Sequence, residues 1–440
     1  MLVQQNKGVP LRLAVKEYGI KKSLANCPES LLLRMAIIKP FRALRPHIEY
    51  AEQVASRPYD VLNSEEARKE AANNLLSFLH VTKAEIDLPE DIDIHTEPVY
   101  QKAKANLNAF IEKKILFQDE KPCYYIYELA WKGRTQTGLV CVSAVDDYFN
   151  DVIKKHEFTR PEKEKDRIDH MLATRAQTGN VFLACKAIKE LNDVLDHWKQ
   201  HNNAAYYFTA ADGVTHTIWV VDAIATIDVI TKLFEEKIPF TYIADGHHRA
   251  ASAAKVSQQL PDSEDARYFL TTIFPADQLA ILDYNRVVKD LNGLSEEAFL
   301  QQLEQAFTIE KADAPVQPAA LHQFGMFLNG QWYKLTAKEG TYRNDPIGVL
   351  DVTILQENIL EKLLGVGDPR VDKRIDFVGG IRGLGELEKR VNSGDVRVAF
   401  SLYPVSIQQL FDIADSGNVM PPKSTWFEPK LRDGLLTHLI

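Results

Sequence analysis

The segment that most restricts the fold of this chain is a short apolar run that leads through a glycine into a strong helix former. Residues 238–243 are mostly apolar, the sequence Asp-Gly-His-His-Arg occupies 245–249, and residues 250–255 are Ala, Ala, Ser, Ala, Ala and Lys. This order predicts a strand, a tight turn and a helix. Because the first turn of a helix carries backbone N–H groups without partners, we expect this junction to bind an anion.

The side chains of this turn suit a phosphate. Gly246 lets a ligand approach the backbone, Arg249 offers a planar fork of donors, and His247 and His248 can donate or accept near neutral pH. The same histidines and arginine could simply cap a loop. Metal binding is a weaker alternative, because adjacent histidines point in different directions and no further ligand follows at helical spacing. With Asp245 beside them, we predict a phosphate-handling turn.

Composition restricts the class of partner. The chain has 440 residues, and its 52 basic and 61 acidic side chains give a net charge of -9. Such a charge provides no general field for a polyanion, so nucleic acid is not expected as a partner and an anion must be held by a local cluster. The apolar and charged fractions, 45% and 26%, are those of a globular protein, and the length predicts two or three domains.

The cysteines and the apolar segments indicate a cytoplasmic protein. Cys27, Cys123, Cys141 and Cys185 lie far apart, without the spacing of a zinc site or the density of a disulfide scaffold. No run of about 18 apolar residues occurs, so no membrane association is expected. Residues 1–34 differ from the rest, and we expect them to be an extension ahead of a native start at Met35.

Strand and helix patterns alternate without a regular repeat, which predicts an α+β fold of mixed sheets with interleaved helices. Three hairpins are predicted, at 124–129 with 138–143, at 206–209 with 217–221, and at 325–328 with 331–335. Helices are predicted from Ser64 and at 100–117, 166–174, 182–201, 227–236, 249–259 and 352–364. We divide the chain into an α+β domain at 35–295, which contains the predicted phosphate turn, and a C-terminal α+β domain at 296–440, whose tail is expected to pack on the site.

Polar residues elsewhere could complete the turn. Glu157 could act as a base or a metal ligand, and Thr159 and Arg160 could hold a phosphate or a carboxylate. The alternative is the solvated start of a charged helix. Asp60 follows a rigid Arg-Pro-Tyr turn and could supply an acid or simply cap the next segment.

Two segments in the second half also concentrate polar groups. In the tail, Lys423, Ser424 and Thr425 provide a cation and two hydroxyls, followed by Trp426 and Phe427 with flat surfaces. The tail lacks the glycine-rich approach of a Walker A motif, and the glycines at 379–383 are insufficient for a dinucleotide fingerprint. The sequence Asp-Tyr-Asn-Arg at 283–286 has a structural alternative, a strand end with an ion pair.

These segments together resemble one family. From about Met35 onward the chain resembles the family named domain of unknown function 1015. The resemblance rests on residues 39–46, 58–61, 156–159, 244–249, 283–286 and 420–432, which are spread over most of the chain.

A second resemblance concerns the turn alone. Its Gly-His-His-Arg sequence is similar to the phosphate turn of the ParB and sulfiredoxin-like superfamily, in which such a segment begins a helix and holds nucleotide phosphates. This resemblance implies a nucleotide-binding core of that type, with additional α/β elements. The position of the reactive cysteine of sulfiredoxin is His247 here, which disfavours that chemistry. The superfamily includes free-serine kinases and CTP-hydrolysing partition proteins, which implies nucleotide-dependent phosphotransfer.

The leading hypothesis is a phosphotransferase or nucleotide hydrolase that uses ATP or ADP, and its kinase form would act on a small hydroxylated metabolite such as serine. The backbone at Gly246 with His248 and Arg249 would hold the phosphate, Asp60 or Glu157 would be the base, and Asp245 or Glu157 would place Mg²⁺. One alternative is a nucleotide-sensing regulatory module of ParB-like type. Another is a phosphatase with His247 as phosphate acceptor. The sequence leaves the acceptor and the oligomeric state open.

Overall fold

The computed structural model describes residues 34–440; the predicted extension, including Cys27, lies outside the described residues except for Arg34. Residues Met35–Ile440 form one compact unit. The unit contains sheets with interleaved helices, so the predicted α+β class is confirmed.

The strands are, in chain order, β1 Ile38–Lys39, β2 Leu44–Pro46, β3 Leu116–Gln118, β4 Tyr124–Trp131, β5 Arg134–Ala144, β6 Ile153–Lys154, β7 Ala176–Gln177, β8 Val181–Cys185, β9 Tyr206–Thr209, β10 Thr215–Val221, β11 Thr241–Asp245, β12 Tyr268–Pro275, β13 Ile281–Leu282, β14 Tyr284–Val288, β15 Phe307–Ala312, β16 Gln323–Leu328, β17 Gln331–Ala337, β18 Ile375–Gly379, β19 Val398–Leu402, β20 Trp426–Phe427 and β21 His438–Leu439. The α-helices are α1 Ala51–Val54, α2 Ser64–Ala71, α3 Leu79–Thr82, α4 Glu97–Glu112, α5 Val145–Phe149, α6 Pro161–Thr174, α7 Lys189–His201, α8 Ile224–Lys237, α9 His247–Gln259, α10 Glu296–Leu303, α11 Asp351–Leu355, α12 Leu384–Asn392 and α13 Ile407–Asp415. A π-helix continues α11 over Gln356–Glu361, and short 3-10 turns include Tyr59–Val61 and Gly380–Arg382.

Two sheets organise the unit. The larger has the order β6-β11-β8-β12-β5-β4-β10-β9, with β1 paired to β5, and the smaller has the order β15-β17-β16-β19-β14-β18. In the larger sheet β11 runs parallel to β6 and antiparallel to β8. The predicted turn therefore follows the carboxyl end of β11, a strand that lies between β6 and β8.

The hairpin predictions are confirmed. β4 pairs with β5, β9 with β10, and β16 with β17, each antiparallel. The last turn contains Asn329 and Gly330 with φ of +49° and +79°. Two successive residues with positive φ match the right-handed twist of the strands, which is why Asn-Gly predicts this turn.

The helix predicted at 182–201 is wrong in its first part. Val181–Cys185 forms strand β8, and helix α7 begins only at Lys189. β8 is buried throughout, between β11 and β12. A fully buried strand is apolar on both faces and has no alternation that would distinguish it from a buried helix. Helix α4 also ends earlier than predicted, at Glu112, whereas α2 begins at Ser64 as predicted, with Asn63 as its N-cap.

The tail of the chain pairs with segments from the first half of the chain. Isolated bridges join Thr437 to Leu44 and Asp433 to Ser56, and β21 pairs with β7. Strand β14, which precedes residue 296, belongs to the smaller sheet. The division at residue 295 stays a prediction. None of the helices within residues 34–440 has the length and apolar character needed to cross a membrane.

Candidate functional site

The predicted turn lies where β11 meets α9. Gly246 adopts φ +97° and is the N-cap of a helix of 13 residues, and as a glycine it has no side chain to cap the helix. An ideal Cβ at Gly246 would lie 3.0 Å from Nε of Arg249. The left-handed backbone and this close contact both favour glycine. The first turn of α9 thus keeps its backbone donors free of side-chain caps.

Helix α9 is anchored firmly behind this turn. Ala250, Ala253 and Ala254 are buried in a core cluster with strands of the larger sheet, and the Ser252 hydroxyl donates to the carbonyl of Glu164 on α6 at 3.1 Å. Small side chains let the helix lie close to its neighbours. The orientation of the first turn of α9 is therefore determined by packing rather than by the loop.

Arg249 lies beneath the turn, with 8% of its surface exposed. One Nη atom lies 3.4 Å from a carboxylate oxygen of Asp60 and 3.4 Å from one of Asp245, and the other donates to the carbonyl of Asn180. Burial alone would lower the pKa of this guanidinium, but Asp60 and Asp245 keep it above its usual value. Arg249 thus joins the two predicted acids, which are far apart in sequence.

Asp245 contacts a second cation from the tail. The ammonium of Lys430 donates to Oδ2 of Asp245 at 3.1 Å, the same oxygen that Arg249 approaches. Burial alone would raise the pKa of Asp245, but Lys430 and Arg249 hold it well below its usual range. Asp245 is therefore ionised at neutral pH, and the tail contributes a cation beside the turn.

His247 points into the protein and contacts Glu157 at the surface. The backbone N–H of His156 donates to Nε2 of His247 at 3.4 Å, and Nδ1 lies 3.8 Å from the Glu157 carboxylate. Burial and His156 lower the pKa of His247 strongly, so its ring is neutral. Because Nε2 accepts, the ring proton lies on Nδ1, toward Glu157. Neighbouring groups partly shield the Glu157 carboxylate from water and so raise its pKa, while Lys423 acts in the opposite direction.

His248 and Thr159 tie the loop before α6 to the turn. The N–H of Arg160 donates to Nε2 of His248 at 3.0 Å. The Thr159 hydroxyl donates to Glu164, which is buried and also pairs with Lys255 of α9. Thr159 and His248 therefore already have hydrogen-bond partners that connect α6 and α9.

Several polar groups behind the turn are buried without partners. Among residues 34–440 these include Nε of Arg249, Nδ1 of His156, Oδ1 of Asn180 and Oδ2 of Asp433. A cavity of about 30 Å³ beside Arg249 is lined by Tyr59 and other residues. Unpaired buried polar groups are costly, and they accumulate at sites of function or of bound water.

The three predicted tail residues, Lys423, Ser424 and Thr425, differ in their exposure and in their contacts. The hydroxyl of Ser424 donates to the carbonyl of Pro421 at 2.6 Å, so it closes the turn. Lys423 is exposed with φ +59°, and its ammonium lies 5.7 Å from the centre of the Tyr284 ring. Thr425 is half-buried next to Ser424. The structural ion pair considered for residue 286 is not formed with any residue of the described chain.

The structure thus brings together six predicted residues around the turn and adds others. Arg249 contacts Asp60 and Asp245, His247 lies near Glu157, and His248 accepts from the Arg160 backbone. The consecutive residues 245–249 of the turn join these three groups. Sequence reasoning assigned no role to Lys430, Asp433 or Asn180. Their only sequence signal is membership of a polar stretch, since the chain positions them by long-range contacts.

Metal ligands are sparse around this set. In the part of the chain that the structure describes, no group of three or more His, Cys, Asp or Glu side chains is arranged to hold a metal ion. A metal ion here would need additional ligands from a bound molecule, as Mg²⁺ commonly obtains from phosphates.

Comparison with known proteins gives a family and distant structural likenesses. Residues 38–353 match the model of the family described as "Protein of unknown function (DUF1015)". A comparison with curated proteins finds no match. Similar solved structures include a free serine kinase in complex with AMP, at 12% identity over 68% of this chain and 90% of that chain, with a TM-score of 0.33. They also include SbnI from Staphylococcus aureus, at 12% identity over 68% and 87%, with a TM-score of 0.35. A conserved hypothetical protein from Pyrococcus furiosus matches at 13% identity over 68% and 94%, with a TM-score of 0.32.

Proposed function

Since the chain belongs to the DUF1015 family, which carries no activity in its description, we propose from its own geometry that it is a phosphotransferase or nucleotide hydrolase. The observation that supports this most is the uncapped N-terminus of α9 behind Gly246, surrounded by Asp245, Lys430 and Arg249. Backbone donors, two cations and nearby acids are the parts that phosphoryl transfer needs. The acceptor is a small hydroxylated metabolite in the kinase version and water in the hydrolase version.

The first turn of α9 holds the terminal phosphate in this proposal. Its backbone N–H groups and the positive end of the helix dipole favour an anion. Arg249 contacts its two carboxylates at 3.4 Å each, longer than well-formed hydrogen bonds of about 2.7–3.2 Å. The guanidinium is therefore able to exchange one of them for a phosphate oxygen. Lys430 adds a second cation at the same edge.

Glu157 is the proposed base. Its carboxylate is at the surface beside His247, and its raised pKa favours proton uptake. The acceptor oxygen forms the new bond to phosphorus, the bond between phosphorus and the bridging oxygen of the nucleotide breaks, and the hydroxyl proton passes to Glu157. Asp60 instead helps hold Arg249 and serves as a positioning residue.

The contacts of His247 do not favour the alternative in which this histidine accepts the phosphate. His247 is buried, its Nε2 accepts from the His156 backbone, and its Nδ1 faces a carboxylate that would repel a phosphate. His247 is better suited to orient Glu157 through its Nδ1 proton.

Magnesium fits the acids of the site once phosphates are present. Both cations that contact Asp245 use Oδ2, so Oδ1 of Asp245 is the protein oxygen that would hold Mg²⁺, while Glu157 serves as the base. Bound there, the ion would neutralise charge on the nucleotide phosphates.

A thermal-shift and calorimetric screen of ATP, ADP, AMP and CTP, with and without Mg²⁺, tests the proposal. We expect at least one nucleotide to stabilise the wild-type chain, and Arg249→Ala to weaken its binding about tenfold or more. Arg390→Ala is the matched control, because Arg390 pairs with Asp376 and Asp395 beside the smaller sheet. If no nucleotide binds, or if both variants respond as the wild type does, the proposal is wrong.

Turnover then separates the enzyme from a sensor. With a bound nucleotide, Glu157→Gln is expected to lower phosphate release or transfer about 100-fold while nucleotide affinity changes little. Binding without phosphate release, in wild type and variant alike, would instead support the nucleotide-sensing regulatory module.

A further inference from the structure

Arg286 is a buried cation that the mechanism above does not use. It lies in β14 with 3% of its surface exposed. Its guanidinium donates to the carbonyls of Tyr284 and Pro422, the second at 3.4 Å. Within residues 34–440 it makes no ion pair with a carboxylate. Burial lowers its pKa to about 10, so it stays charged at neutral pH.

A buried charge without a counter-ion lowers the free energy of unfolding of a protein. Removing a guanidinium from water costs several kcal/mol, and an apolar side chain of similar size often serves the fold equally well. Two carbonyl oxygens give hydrogen bonds but no negative charge. The arrangement therefore favours an anion that is absent from the protein itself.

The position of Arg286 connects it with the phosphate turn. The Tyr284 and Trp426 ring centres lie 5.0 Å apart, and the Lys430 ammonium lies 5.5 Å from the Trp426 ring. Lys430 contacts Asp245 at the end of β11. Lys430, Trp426 and Tyr284 thus connect the turn with the strand that carries Arg286.

Lys423 adds a second unpaired cation beside Tyr284. It is exposed, and its ammonium lies 5.7 Å from the Tyr284 ring, while no carboxylate of the described chain lies within 4.0 Å of it. Pro422, whose carbonyl accepts from Arg286, directly precedes Lys423. The turn of residues 421–424 therefore contacts Arg286 through Pro422 and carries Lys423 as the next residue.

We propose that Arg286 and Lys423 bind a second oxyanion group, a carboxylate or phosphate, on a small molecule that lies against Tyr284 and Trp426. Planar guanidinium groups match both oxyanions in geometry, and the aromatic rings supply a flat apolar wall. This group belongs either to the acceptor, as the carboxylate of a hydroxy acid, or to the nucleotide, as a second phosphate. The identity of this molecule, acceptor or nucleotide, rests on the proposed function, and the oxyanion site itself does not.

Isothermal titration of the full chain tests the site with defined probes: L-serine and D-glycerate as hydroxy acids, L-serinamide as the counterpart that lacks the carboxylate, ADP, and inorganic phosphate. We expect wild type to bind at least one anionic probe, and Arg286→Met to weaken that binding tenfold or more. Lys423→Gln should weaken the same probe by a smaller factor. Loss of hydroxy-acid binding with ADP unchanged assigns the oxyanion to the acceptor, and loss of ADP binding assigns it to the nucleotide.

Two controls are needed. One shows whether Arg286 has only a structural role, and the other separates binding at this site from binding at the phosphate turn. Because a buried unpaired cation adds little to folding, Arg286→Met should keep the wild-type Tm or exceed it. If that variant does not fold, exposed Lys423→Gln carries the test alone. Arg249→Ala should lose nucleotide and keep hydroxy-acid binding if the acceptor assignment holds. Wild-type affinity for every probe in both Arg286→Met and Lys423→Gln, or no anion bound by wild type, overturns the site even if nucleotide binding at α9 is established.

Discussion

Asp433 lies next to Arg249 and has an unusual charge state for a carboxyl group. It is 2% exposed, and its Oδ2 has no hydrogen-bond partner in the described chain. An ideal Cβ on Gly179 would lie 3.3 Å from Asp433 and 3.4 Å from Arg249. Burial raises the pKa of Asp433 to about 7, with Arg249 acting in the opposite direction. This carboxyl group therefore titrates in the folded protein near neutral pH.

Asp433→Asn is predicted to remove one source of pH dependence. The folded pKa lies above the unfolded one, so the folded state binds the extra proton and stability falls as pH rises from about 4 to 7. Relative to wild type, the variant should unfold at a similar Tm near pH 4 and at a higher Tm at pH 8. The gain is at most about 4 kcal/mol, because one pKa unit corresponds to about 1.4 kcal/mol. Scanning calorimetry from pH 4 to 8 measures it.

Asp351 provides the matched control for this prediction. It is buried in α11, its Oδ1 accepts from the His322 backbone at 2.8 Å, and burial raises its pKa to about 7 as well. Asp351→Asn should give the same trend in stability. Of the two variants, Asp433→Asn alone should change the pH dependence of nucleotide binding, since Asp433 neighbours Arg249 and Asp351 does not. Equal pH slopes in wild type and Asp433→Asn would contradict the prediction.

At the scale of elements, the junction of β11 and α9 depends on one backbone conformation. Gly246 adopts φ +97°, and any side chain there would approach Arg249. A change in this conformation would alter the path of the chain from β11 into the first turn of α9, where the proposed phosphate donors lie.

Gly246→Ala is predicted to impair both stability and nucleotide binding. The left-handed conformation costs a non-glycine residue about 1–2 kcal/mol, and the Cβ must also displace the Arg249 side chain. Gly213 is the control: its φ is +79°, but no atom lies within 4 Å of its ideal Cβ. Gly213→Ala should therefore show the backbone cost in urea unfolding with unchanged nucleotide affinity. Equal affinities in the two variants would show that the approach of Arg249 to Gly246 is unimportant.

At the scale of the whole molecule, the C-terminal tail packs into the core and pairs with segments from the first half of the chain. Leu435 and Leu436 are buried in the largest core cluster, which contains residues of both sheets such as Tyr125 and Phe324. The tail also forms backbone bridges with Leu44 and Ser56 and ends in β21. The last residues of the chain thus stabilise its first strands.

Removing residues 430–440 is predicted to destabilise the whole unit. The deletion exposes part of the core and leaves strand edges unpaired, so Tm should fall by about 10 °C or more. Lys430→Ala in the full chain is the control, since it removes the contact with Asp245 but keeps the tail. This variant should unfold close to wild type, as followed by circular dichroism and tryptophan fluorescence. A truncated chain with the Tm of the wild type would contradict the prediction.

Local sequence determined the α+β class, the three hairpins and the turn with α9 behind it. Asn-Gly, Asp-Gly and an alanine-rich run specify their conformations within a few residues, because turn geometry and helix propensity are local properties. The six predicted residues around the turn were also found from local patterns of polar side chains.

Tertiary structure alone decided what surrounds that turn. β8 is a strand rather than the start of a helix, because burial between β11 and β12 outweighs an apolar pattern that suits both. Lys430 reaches Asp245 across 185 positions, and Asp433 reaches Arg249 from the same tail. Such contacts depend on how distant segments are packed, and no local pattern encodes that. The charge states of Asp245 and Asp433 follow from that packing, since burial and neighbouring cations determine which carboxyl group keeps its proton.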